Sequence, residues 1–69
     1  MPQNYKEALK WYNKMVESRD IEALYITGIY YLEGKGVKPN KGEAVARLKE
    51  AALRGFKEAR KKLAELGVV

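Results

Sequence analysis

The chain has 69 residues, one domain at most, and chains this short bury too little apolar surface for a wide stability margin. With no cysteine and no histidine, disulfides, thiol nucleophiles and ordinary zinc sites are all excluded. Apolar residues at 46% and charged residues at 33% indicate a globular chain, and a formal charge of +5 is an ordinary solubility margin for a small domain.

The first stretch, MPQNYKEALKWYNK, is too polar for a signal peptide, and no window is apolar enough for a membrane span, so a soluble domain of unassigned compartment is expected. Tyr5, Ala8, Leu9, Tyr12, Met15 and Val16 recur at three and four residues, which predicts a first helix over 5–17. Lys6, Lys10, Asn13 and Lys14 fall on its opposite side. Asn4 is the expected N-cap, with Glu7 completing an Asn-x-x-Glu box that satisfies two free amide donors.

A second helix is predicted over 21–33, capped by Asp20 and ended by Gly34 in the left-handed conformation. Its sequence, IEALYITGIYYLE, is apolar nearly all round, so it buries more than one side or leaves an apolar face for something else. The segment GKGVKPN then has the make-up of a corner. Gly36 permits the turn, Val37 tucks between helices, Pro39 stops the previous conformation and Asn40 caps the next helix. It lacks the spacing of a phosphate loop, and no strand precedes it.

The third helix, over about 42–53, carries Ala44, Val45, Leu48, Ala51 and Ala52 inward, with Asn40 and Glu43 forming a second box. The fourth, over about 56–66, turns Phe56, Ala59, Leu63 and Leu66 inward and stops at Gly67. Helices one and two, and helices three and four, are separated by so few residues that each pair reads as an antiparallel hairpin.

The chain also echoes itself. A shift of 36 residues superposes Asn4, Glu7 and Ala8 on Asn40, Glu43 and Ala44, and Glu22 and Ala23 on Glu58 and Ala59. The coincidences fall at caps and at small residues where helices approach. Helix three therefore repeats helix one, and helix four repeats helix two.

From Glu22 to Gly55 the chain resembles the Sel-one-like repeat, a relative of the tetratricopeptide repeat. The marks are Ala23, Gly28, Tyr31, the Gly34-x-Gly36-Val37 loop, Ala44, Ala51-Ala52 and Gly55. The flanks resemble the second helix of a preceding unit and the first helix of a following one. Thr27 stands where the family usually has leucine, Ala64 where it has glycine, and Arg47-Leu48 where an aromatic pair is common, although Trp11-Tyr12 supplies that pair in the first unit. These departures read as ordinary drift. The expectation is an all-α fold, a right-handed α-solenoid fragment of antiparallel helical hairpins over 1–69. Residues 4–19 would be the end of one unit, 20–55 a full repeat, and 56–69 the start of the next.

Catalysis is discounted, because one Ser, one Thr and one Asp without His or Cys cannot assemble a nucleophile–base pair or an ordinary metal cluster. No catalytic residue, cofactor or metal is expected. The basic run at Lys57, Arg60, Lys61 and Lys62 is interrupted by Glu58 and Glu65, so nucleic-acid binding is the less favoured reading.

The resemblance implies a non-catalytic protein or peptide interaction scaffold. Its first helices would line a concave surface, on which Glu22, Tyr25 and Ile29 lie together and Glu58, Lys61 and Glu65 are the corresponding positions one period on. Tyr25 and Ile29 are the expected apolar anchors, and Glu22, Lys61 and Glu65 the expected charged margin. The alternative for those two anchors is that they complete the core. The alternative for the whole chain is a minimal or engineered repeat module that self-associates through its end helices, with Trp11 as the residue at the open edge.

Overall fold

In a computed structural model, the structure describes residues 4–68. The outer limits of the expected domain, and the first three residues of the stretch judged too polar for a signal peptide, lie outside them. Four helices follow in order: α1 (Tyr5–Glu17), α2 (Ile21–Glu33), α3 (Lys41–Leu53) and α4 (Lys57–Glu65). Among the described residues the fold is all-α, and no helix is long and apolar enough to cross a membrane. α3 packs on both α2 and α4, and α2 also packs on α1.

The expected ends hold within a residue. α3 begins at Lys41 instead of Gly42, and Phe56 and Leu66 cap α4 from outside it. Asn4, Asp20 and Asn40 each accept the backbone N–H three residues on, at 3.1, 3.1 and 3.0 Å. The reciprocal half of each expected box is not made. Glu7 accepts from the Asn4 side chain, while Glu43 turns away to Arg47. The Asn40 N–H is satisfied instead by the Tyr31 carbonyl at 2.8 Å, which closes the long corner. α4 has no side-chain cap, and Glu58 serves it only as a negative charge in the first turn.

The core is built from small residues around one leucine. Leu48, Ala23, Ala44, Ala51, Ala59 and Thr27 have no exposure, and Leu24 and Leu63 are nearly closed off. A Cβ added at Gly28 would stand 3.0 Å from Leu48 Cγ, so α2 and α3 approach as closely as a bare backbone permits. The α1–α2 seam is aromatic. Tyr30 meets Tyr5 and Tyr12 edge-on at 5.6 and 5.8 Å, and Lys35 sits 5.2 Å from the Tyr5 ring. Burial, with lesser contributions from Tyr12 and Tyr5, raises the Tyr30 phenol above its ordinary pKa, and Lys35 opposes the shift.

Thr27 and Arg47, read from sequence as separate drift, are one feature. Thr27 Oγ1 donates to the Ala23 carbonyl at 2.9 Å and accepts from Arg47 Nη1 at 3.0 Å. The same guanidinium donates to Asn13 Oδ1 at 3.0 Å and, through Nε, to Glu43 at 3.0 Å, and lies 4.9 Å from the Tyr31 ring. Asn13 is therefore half-buried at a helix junction instead of on the solvent side, as its place among the lysines had suggested. One side chain fastens α1, α2 and α3 together, and no buried side-chain polar atom among the described residues lacks a partner.

The internal echo is structural as well. The spans of α1 and α3 are offset by 36 residues at both ends, as are the starts of α2 and α4. The turns match bond for bond. Asp20 N–H donates to Met15 and Phe56 N–H to Ala51, while Arg19 N–H donates to Val16 and Gly55 N–H to Ala52. Arg19 (φ 64°) thus occupies the left-handed position that Gly55 (φ 94°) fills one period later. The corner glycine Gly36 has a second reason to be glycine. At φ 74° its Cβ would stand 2.6 Å from the backbone of Tyr5 and Lys6, so the α2–α3 corner rests on the first turn of α1.

Arg19→Gly should raise stability by about 0.5–1 kcal/mol, read as a melting temperature ~3–6 °C higher. Gly36→Ala should cost about 2 kcal/mol or more, because neither its φ nor the facing backbone can yield. For the Arg47 junction, a double-mutant cycle with Thr27→Val and Arg47→Met should give a coupling of about 1 kcal/mol in denaturant melts. A coupling near zero would mean that the bond is not made in solution.

Candidate functional site

The surface singled out by sequence lies on α2, close to the start of α4. α2 is apolar nearly all round, so after Ala23, Leu24, Thr27 and Gly28 are buried against α3, a second apolar row is left over. That row is Tyr25 and Ile29. Both are half-buried and pack against the core cluster of Leu24, Leu48, Ala51, Ala59 and Leu63. They belong at once to the margin of the core and to the surface.

Tyr25 is held by Phe56, with ring centroids 5.1 Å apart and planes tilted by 41°. Phe56 precedes the first turn of α4, and its Cα is placed by the bond from its N–H to the Ala51 carbonyl at 3.0 Å. The short α3–α4 turn therefore sets the position of the ring that braces Tyr25. The phenol is fixed on one side by Phe56 and partly open on the other.

Glu22, Lys61 and Glu65 are all exposed. Glu65 forms an ion pair with Lys62 at 3.2 Å, across one turn of α4. That bond, followed by the charge of Glu65, raises the Lys62 ammonium above its ordinary pKa, with smaller contributions from Tyr25 and Glu33. Lys62, half-buried, is thus a basic residue within electrostatic reach of Tyr25. Lys61, expected on the charged margin because it stands one period after Tyr25, is exposed on α4 beside Lys62. The i, i+3 spacing of Lys62 and Glu65 was the available signal.

The basic run on α4 is also divided. Lys62 is committed to Glu65, and Arg60 lines a cleft between α3 and α4. Among the described residues no group of three acidic, cysteine or histidine side chains could hold a metal ion. The site offers an aromatic and aliphatic ridge, fixed from beneath, with charges of both signs at its edge. That arrangement suits burial of an apolar side chain and has no groups placed for bond-making chemistry.

A family model for the Sel1 repeat matches residues 1–20 and 21–56, most of the chain. No curated protein and no solved structure matches it.

Proposed function

The chain belongs to the Sel1 repeat family, helical modules that in general mediate protein interactions and are typically non-catalytic, and on that premise we propose that it is a peptide-binding scaffold using the α2–α4 face. One observation carries this reading. Tyr25, Ile29 and Phe56 are packed from below yet only half-buried, so they form a rigid apolar ridge that costs little entropy to engage. A partner segment would lay an apolar or aromatic side chain against Tyr25 and Ile29. Glu22, Lys61 and Glu65 would then bias which charges flank it, acting more on encounter rate than on residence.

The divided basic run argues against nucleic acid as the ligand. With Lys62 paired to Glu65 and Arg60 at the α3–α4 cleft, the basic run on α4 is not one uniform cationic face for a phosphate backbone.

A displayed library of random twelve-residue peptides, selected on the chain, should enrich sequences carrying an aromatic or large aliphatic anchor. Their affinity should fall about tenfold or more for Tyr25→Ala or Ile29→Ala with helicity retained, and only a few-fold for Lys61→Glu. Enriched peptides that bind both alanine variants as well as the original chain would overturn the reading.

A further inference from the structure

The two ends of the stack carry a second pair of surfaces, away from the peptide face. On α1, Trp11 is 66% exposed and Met15 39% exposed, although both belong to the apolar arc of the helix. At the other end, Lys49, Ala52, Leu53, Arg60 and Leu63 line an open cleft of about 480 Å³ between α3 and α4, and Leu53 is 85% exposed. Exposed large apolar side chains at both ends of so small a chain call for an explanation.

The internal repeat supplies one. One period back, Lys49, Ala52, Arg60 and Leu63 become Asn13, Val16, Leu24 and Thr27. In the intact register that position is filled. Asn13 and Thr27 hold the Arg47 guanidinium at 3.0 Å each, Leu24 shares the core cluster with Leu48, and Val16 packs against it. The α3–α4 cleft is therefore the seat that α1 and α2 offer to α3, repeated 36 residues later. One period before Arg47, Leu48 and Ala51 stand Trp11, Tyr12 and Met15.

We propose that the α3–α4 cleft is a docking site for α1 of a second copy of this chain, with Trp11 of that copy entering it as Arg47 enters the seat between α1 and α2. The side chains have changed together on both sides of the contact. Where arginine meets threonine and asparagine inside the chain, tryptophan would meet leucine and lysine between chains. Leu63 lies under the indole and the Lys49 ammonium is placed to sit against its ring, as Lys14 already does at 5.7 Å within one chain. Arg47 corresponds to Trp11 on the knob and Thr27 to Leu63 in the hole, while Asn13 and Leu24 correspond to Lys49 and Arg60, cations that suit an indole face, and a second copy accounts for both sides.

Such a contact joins unlike surfaces, so each bound copy presents a free cleft to the next, and growth is open-ended. It leaves the α2–α4 face uncovered and does not depend on the peptide-binding reading.

The test uses the two exposed ends, where substitution leaves the core intact. Mass by light scattering should rise with concentration for the 69-residue chain, and the emission of Trp11, its sole tryptophan, should shift to the blue in step. Trp11→Ala and Lys49→Glu should each weaken association about tenfold or more with an unchanged melting temperature. Mixed together, they should form a closed one-to-one dimer, since one variant keeps a working cleft and the other a working tryptophan, and the emission should shift again. A chain that stays monomeric to about 1 mM overturns the proposal and leaves the cleft to some other partner. So does a mixture that fails to pair, and so does either variant associating as strongly alone as the original.

Discussion

The approach of α2 to α3 at Gly28 and Leu48 is the constraint on which the rest of this structure depends. With so few residues and neither disulfide nor metal, the chain cannot gain stability from a large core, so it brings helices as close as their backbones allow. Leu48 is wholly enclosed, with Gly28 against it across the seam and Leu24, Ala51, Ala59 and Leu63 in the same cluster. Small residues across a seam let many weak contacts form per unit of buried area, at little cost in side-chain entropy. Once α2 and α3 are fixed in this way, the corner between them must fold back tightly. Gly36 then lands on the first turn of α1 and locates that helix too.

Around this seam the chain places a largely buried polar junction. The Arg47 guanidinium is mostly covered and would be costly alone, but Thr27, Asn13 and Glu43 supply acceptors and Tyr31 a ring face. Because these acceptors come from three helices, the junction specifies relative position more than it adds stability. An apolar contact tolerates sliding, whereas three directional bonds to one planar group do not.

The same repeat logic separates the two kinds of surface. Inside the stack each helix is covered on both sides and its apolar residues disappear from view. On α1 and at the α3–α4 cleft, Trp11, Met15 and Leu53 remain in view. The α2–α4 face has another origin. It exists because α2 has more apolar circumference than α3 can cover, and Phe56 props the excess into a defined ridge. Ends generated by the repeat suit other copies of the repeat, whereas a ridge peculiar to one helix suits a different kind of partner.

Much of this was legible in the residues. Helix spans, caps and corner followed from apolar spacing and from the local chemistry of Asn4, Asp20, Gly34 and Asn40, since each acts within one turn of itself. The period of 36 also followed from the residues, because a repeated structural element needs its caps and small residues in the same places. Two things were decided only by the tertiary structure: the pairing of Arg47 with Asn13 and Thr27, and the bracing of Tyr25 by Phe56. In sequence Asn13 and Arg47 are a polar residue among lysines and a departure from a family pattern. They become partners only when two helices separated by a hairpin are brought side by side. Periodicity fixes which face of a helix is buried because that depends on spacing alone. Which residue meets which across a seam depends on the distance and rotation between helices, and those are set by the packing of the whole chain.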